Sequence, residues 1–474
     1  MIRHLQSRGL LPSELFPTET RRILISAGKF QEMNIGDLKS ALDPEQTGKE
    51  MHALASQLYP ICRSITGAGV RETLKILQQH IPLTVHEVPT GIQVFDWTIP
   101  REWNVRDAYI KNSRDEKIVD FKKCNLHVMS YSTPLHAKMR LTKLKPHLFT
   151  LPEQPEWIPY RTSYYNENWG FCLSHNQFLQ LKDDEYEVCI DSSLQAGHLS
   201  YGEYYLNGET EDEILISCHI CHPSLCNDNL SGISLATQLA QRLTPISRRY
   251  SYRFLFIPGT IGSITWLALN QTTAARIKHG LVVVCVGDGG RFTYKKSRRG
   301  DTEIDRAAAY VLKHSGAEYA ITDFFPYGYD ERQYCSPGFN LAVGSLSRSP
   351  HGSFPQYHTS ADNLEFIHAQ HLGESLSLYV SLLDVLENNR SYLNQNPYCE
   401  PQLGKHGLYK AMGGQLESKG REMAMLWVCN LSDGNHSLMD VAERSGLPFG
   451  TIKSVADLLA ASGLLKEVTR APKD

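Results

Sequence analysis

One stretch, Glu213 to Gly232 (EILISCHICHPSLCNDNLSG), constrains this chain more than any other. An apolar strand, Ile214 to Ser217, empties into a loop holding His219, Cys221, His222, Cys226 and Asp228, and a helix opens at Ser231. In an open α/β sheet, ligands collect outside the carboxyl ends of the strands, so this loop leaves the strand where a site is expected. A neutral imidazole and a carboxylate with a tight turn between them suit zinc, which accepts nitrogen and oxygen ligands at roughly 2.0 to 2.2 Å. Asn227, Asp228 and Asn229 favour turns, Ser231 can cap the helix, and Ile233, Leu235, Ala236, Leu239, Ala240 and Leu243 form its buried stripe. Two other readings of the same loop stand beside this one. Cys218, Cys221 and His222 spell a haem-attachment string, which requires an export leader that the N-terminus does not show. A thiolate zinc site from Cys218, Cys221, His222 and Cys226 lacks the usual second knuckle, and buried, unliganded thiols are the default for them.

The alternation of apolar strands and amphipathic helices continues past this stretch: YRFLFI, a helix over 263–270, LVVVCVG, a helix over 302–314, LAVGSL and a long helix over 363–389. Such a pattern predicts a doubly wound, mostly parallel sheet covered on both faces. At 474 residues the length suggests about three domains. Residues 1–44 form an extension with a short helical pattern from Arg21 to Lys29, and 45–90 with 182–395 form the α/β domain. Residues 91–181 shift to short aromatic β-type runs and are expected to be an inserted all-β domain. After a polar linker, 400–474 carry the helix, glycine turn, helix and short strand of a winged helix-turn-helix.

Later strand ends offer further ligands: Asp288 after LVVVCVG, and His358 in QYHTSADN. With His219 and Asp228 they make a convergent site. The order of these residues, with SCHICHPSLCNDNLSG, YKKSRRG and YHTSADN as the best-matching stretches, resembles the zinc aminopeptidase fold shared by leucyl-type aminopeptidases and glutaminyl cyclases. More closely, the chain is similar to bacterial proteins that join an aminopeptidase-like domain with a β insert to a C-terminal winged helix. The resemblance implies one or two zinc ions, with His219 and Asp288 on one, Asp228 bridging and His358 on the second. It covers about residues 45 to 470 and has two departures. His219-Ile220-Cys221 replaces His-x-Asp, and FIPGTIGS, with Gly259 near the expected position, replaces the acidic pair that supplies a general base and a ligand. Glu331, in YGYDERQYCSPG, is the expected substitute base, with Asp330 beside it as the other choice.

Arg298 and Arg299 in KKSRRG are candidates for bidentate contact with an anionic substrate group, the alternative being a solvated turn. Tyr357 is a candidate substrate contact or a packing residue, and His222 is expected to orient the loop. The net charge of −3 supplies no general attraction to nucleic acid or acidic membranes. In the expected recognition helix, Lys453 is offset by Asp457, so the winged helix reads as a docking or self-association module rather than a DNA reader. No apolar run reaches the roughly 20 residues of a membrane helix, and a cytoplasmic protein is expected. The leading expectation is a zinc-dependent amidohydrolase or aminopeptidase acting on a small-molecule or peptide-like aminoacyl or acyl-amide group, and the resemblance points to polysaccharide or secondary-metabolite synthesis. The alternative is a catalytically reduced scaffold whose winged helix contacts a partner or DNA.

Overall fold

The computed structural model describes residues 33–408 and 415–468, so the helical pattern expected at Arg21 to Lys29 lies outside the described residues. Its centre is an eight-stranded sheet of β1 (Thr84–Pro89), β2 (His198–Leu206), β3 (Glu213–His219), β4 (Ser251–Ile257), β5 (Ile277–Val283), β6 (Phe292–Lys295), β7 (Tyr319–Thr322) and β8 (Val343–Ser347). The strands lie in the order β1-β2-β4-β3-β5-β8-β6-β7. The four in the middle, β4, β3, β5 and β8, are mutually parallel, whereas β1, β2 and β6 pair antiparallel with a neighbour. Burial explains the composition of the parallel strands: every residue of β3 and β4 is covered, which is why they read as continuous apolar runs.

Helices α1 (Pro44–Leu58), α2 (Gly232–Leu243), α3 (Ile261–Leu269), α4 (Glu303–His314) and α5 (Ala369–Asn388) cover the sheet. α1 starts on an Asp43 cap with Pro44 in its first turn, where a missing N–H costs nothing. α2 buries Ile233, Leu235, Ala236, Leu239, Ala240 and Leu243, and each large side chain among them contributes roughly 1.5–3 kcal/mol. Gly48 of α1 and Gly373 of α5 let these helices touch backbone to backbone, because a Cβ at either would stand about 2 Å from a carbonyl oxygen of the other segment. Residues ahead of α1 are part of this layer: Ile35–Ala41 is a helix capped by Asn34, and Lys39 meets Asp384 of α5.

The insert leaves the main sheet after β1 and returns at β2, and the Thr90 N–H donates to Gly197 O across its base. Its main sheet pairs Lys117–Asp120, Glu102–Lys111, Glu185–Gln195 and Leu135–Arg140, all antiparallel. The insert therefore runs on to Gln195, past the boundary expected at 181, because Glu185–Gln195 pairs along the whole length of Glu102–Lys111.

The winged helix begins directly after α5. Ser391–Asn394, expected to be linker, is a strand pairing with Asp433–Ser437 and Leu465–Val468. Its helices α6 (Gln415–Leu431), α7 (Leu438–Ser445) and α8 (Phe449–Ala461) share one continuous hydrophobic core with the α/β domain, and α7 and α8 touch that domain directly. The Phe449 N–H donates to Tyr310 Oη at 2.9 Å, and Arg306 of α4 pairs with Asp440 and Glu443. Among the described residues no helix is long and apolar enough to cross a membrane.

Candidate metal centre

β3 delivers His219 to the carboxyl edge of the sheet, and the loop after it folds back so that Asp228 sits against the same imidazole. The loop holds that shape because its polar groups are used internally. Asp362 accepts the amides of Asn227 and Asp228 at 2.6 and 3.0 Å, and Asn229 Nδ2 donates to His219 O and Val283 O. Burial pushes the Asp362 carboxyl up to about 7, against the pull of those two amides.

Asp228 is fully buried with three imidazoles around it. His219 Nε2 lies 2.9 Å from Oδ1, His222 Nδ1 3.2 Å from Oδ2, and His358 Nε2 3.0 Å from Oδ2. Burial alone would raise the Asp228 carboxyl, but the neighbouring His222 and His219 hold it well below the usual carboxylate range. Burial lowers His219 and His358, favouring neutral rings. His222 is raised: burial works against its charge, and Asp228 outweighs it. Its Nδ1–H also donates to the Asp228 carbonyl at 2.9 Å, which leaves Nε2 as the lone-pair nitrogen of the neutral ring.

An anionic carboxylate beside neutral imidazoles is a zinc donor set. The closest pair tests the fit: His219 Nε2 and Asp228 Oδ1 are buried and 2.9 Å apart, yet their angle makes no hydrogen bond and neither has another partner. Two buried ligand atoms this close, with no well-formed hydrogen bond to satisfy either, fit a shared cation. His219, His222 and Asp228 offer ligand atoms within 4.8 Å of one another. The residues present fit a metal ion.

The structure brings together His219, Asp228 and His358, and adds His222, which the leading sequence reading cast as an orienting residue. Asp288 is not among them. Its carboxylate is taken up by Asn227 Nδ2 at 2.6 Å, Gly290 N at 2.6 Å and Ser349 Oγ at 2.7 Å, so it braces the loop instead of facing the imidazoles. Glu331 is also diverted: Oε1 is ion-paired with Lys295 Nζ at 2.8 Å, away from the cavity. Arg298 is exposed and bonds Asn340, and Arg299 is exposed as well, so neither lines the cavity. The thiols do not form a site. Cys218 and Cys226 pack in the core on one face of the sheet and Cys221 in the core on the other, with burial raising all three.

The cavity above the cluster holds about 140 Å³. Tyr357 lines it and stacks on His358 at 3.9 Å, and Tyr329 lies parallel to His219 at 5.6 Å. Asp330, next to the diverted Glu331, also lines it. The insert packs behind two of the imidazoles: Tyr160 sits edge-on to His222 and His358, 5.2 Å from each, and its N–H donates to His358 O at 2.8 Å. His358 has a φ of 56°, a left-handed conformation costing a non-glycine residue about 1–3 kcal/mol, in a segment bonded to the insert through Tyr160 and Ile158.

A parallel sheet whose strand ends gather imidazoles around a buried carboxylate defines an α/β protein of the aminopeptidase-like class. The chain belongs to the family described as a domain of unknown function, DUF4910, whose model matches residues 52–389, and residues 390–467 match a winged helix-turn-helix model. A Clostridium acetobutylicum protein named for polysaccharide biosynthesis, with an aminopeptidase-like domain, is 56% identical over 423 residues, covering 89% of this chain and 97% of that one. A crystal structure of a protein named as a peptidase from Clostridium acetobutylicum has a TM-score of 0.85 at 55% identity, covering 90% of this chain and 97% of its own. The zinc aminopeptidase BSAP from Bacillus subtilis has a TM-score of 0.53 at 12% identity, covering 72% of this chain and 94% of its own, a likeness of fold alone.

Proposed function

We propose that the chain is a zinc-dependent hydrolase that removes a small aminoacyl or acyl-amide group from a substrate used in polysaccharide synthesis. The observation that carries this reading is the pair of buried, unbonded ligand atoms, His219 Nε2 and Asp228 Oδ1, 2.9 Å apart. His219, Asp228 and His222 would hold the zinc, with His358 against the second oxygen of Asp228. Zinc there would polarise an amide carbonyl and lower the pKa of a water toward roughly 7.

The chain's own residues shape the rest. Asp362 fixes the amides on either side of the Asn227–Asp228 bond, which sets the direction of the Asp228 carboxylate. Tyr357, Tyr329 and Tyr160 wall the imidazoles from bulk water. A cavity of about 140 Å³ takes the end of a molecule and not a folded segment, in keeping with a small acyl or aminoacyl group. The link to polysaccharide rests on the name of the Clostridium acetobutylicum relative.

Elemental analysis of the purified protein, with release of amine from aminoacyl and N-acyl substrates, tests the reading. Stoichiometric zinc and metal-dependent release are expected, and both fall in His219→Ala; a protein that takes up no zinc at neutral pH overturns it. Gly259, where the resemblance expects an acid, favours a second reading as a non-hydrolytic binding scaffold. That scaffold would take up zinc and release nothing.

A further inference from the structure

We infer that Asp330 is the proton-handling acid of this site and replaces the carboxylate absent at Gly259. The inference rests on the zinc-hydrolase reading above. It starts from an occupied space: a Cβ built on Gly259 would lie 3.1 Å from His219 Cβ and 3.6 Å from Asp330 Oδ2. A side chain at 259 would thus run toward the place that Asp330 already fills from another loop. The acid is displaced along the chain but not in space.

Asp330 is 1% exposed and lines the cavity with His219, His222 and His358. Ser263 Oγ donates to Oδ1 at 2.9 Å, which fixes the carboxylate plane. Oδ2 is buried and accepts no hydrogen bond among the described residues. A buried carboxylate oxygen left without a donor is costly, and the donor that suits this one arrives from the cavity, on a water or a substrate N–H. Glu331, the neighbouring acid, cannot serve, because Lys295 Nζ holds it from the other side at 2.8 Å.

In the step that follows, the oxygen of the attacking water bonds to the amide carbon while one of its protons passes to Asp330 Oδ2. As the C–N bond breaks, that proton moves to the departing nitrogen. The second proton of the water stays with the acid product, the carboxylate of Asp330 is restored, and no electrons are exchanged.

The test uses the full, zinc-loaded chain with leucine p-nitroanilide and N-acetylglucosamine as amide probes and acetohydroxamate as a non-reacting one. In Asp330→Asn, kcat falls about 10²- to 10⁴-fold while KM stays within about threefold and zinc content is unchanged. Acetohydroxamate, which presents an N–H and an O–H to the same space, binds at least about tenfold more weakly. Unchanged kcat, or unchanged acetohydroxamate affinity at equal zinc content, overturns the assignment. If the parent protein binds zinc but cleaves neither amide, the hydrolase reading fails and the acetohydroxamate comparison alone decides for or against Asp330. A parent protein without zinc overturns both. Should Asp330→Asn not fold, Ser263→Ala, which frees the carboxylate and also gives up the hydroxyl's bond to Thr260 O, is expected to lower kcat about tenfold with KM and zinc unchanged; no change overturns the inference.

Discussion

Asp228 is charged although nothing of it reaches solvent, and it remains so because every neighbour is arranged for that charge. Asp362 instead fixes the loop that aims this carboxylate, and it needs both of its oxygens. Asp362→Asn leaves one acceptor for two amides and turns an N–H₂ toward the other. Zinc affinity should therefore drop about 10- to 100-fold in competition with a chelating dye, with the fold intact by circular dichroism. At this scale the sequence foretold part of the cluster that the structure assembles. His219, Asp228 and His358 lay at strand ends and loops where a doubly wound sheet collects them. His222 was hidden inside a cysteine-bearing string with other readings, although its position three residues after a ligand at a strand end was a usable signal. Asp288 misled because an acid after a strand looks the same whether it faces a metal or, as here, Asn227 and Ser349. Asp330 and Glu331 are consecutive, and a one-turn helix has no apolar periodicity to tell which of the two faces the cavity.

Between elements, the clearest support is Glu102, at the start of the insert strand Glu102–Lys111. It accepts from both Arg71 nitrogens at 3.0 and 2.6 Å, from Asn104 at 3.0 Å and from the His198 amide at 3.1 Å, tying the helix Ala68–Leu77 to the insert. Burial would raise its carboxyl, but the hydrogen bonds from Arg71, Asn104 and His198 hold it at about 2, against an ordinary 4.5. A carboxyl depressed in the folded state stabilises fully above its ordinary value, and that contribution disappears as pH falls from about 4.5 to about 2. Glu102→Gln should cost roughly 1–3 kcal/mol at neutral pH by urea titration, and the loss relative to the parent should shrink over that acid interval. The strands and helices themselves were legible from their period. The reach of the insert was not, because Tyr160 touches His358 through tertiary docking that leaves no local pattern.

Over the whole molecule, the winged helix is built into the α/β domain. In a helix-turn-helix the N-terminal end of the recognition helix contacts base edges. Here that end is covered: Phe449 is buried, and its N–H is held by Tyr310 of α4. We therefore expect no retardation of random-sequence duplex DNA at low salt in a mobility-shift assay, and a retarded band would show that the module undocks. Tyr310→Phe together with Arg306→Ala should lower the melting temperature by a few degrees, as a loss of about 1–2 kcal/mol requires. The glycine-turn pattern located this module correctly, but its first strand, SYLN, passes for linker because its polar and apolar residues make sense only beside Asp433–Ser437 and Leu465–Val468.

The hydrogen bond from Tyr160 to the carbonyl of His358 has an outcome for anyone trimming this protein. Excising the insert would remove that support from the His358 loop, together with the bond from the Ser360 N–H to Ile158 O. The inserted β sheet and the imidazole cluster are thus tied together within a single peptide unit's reach.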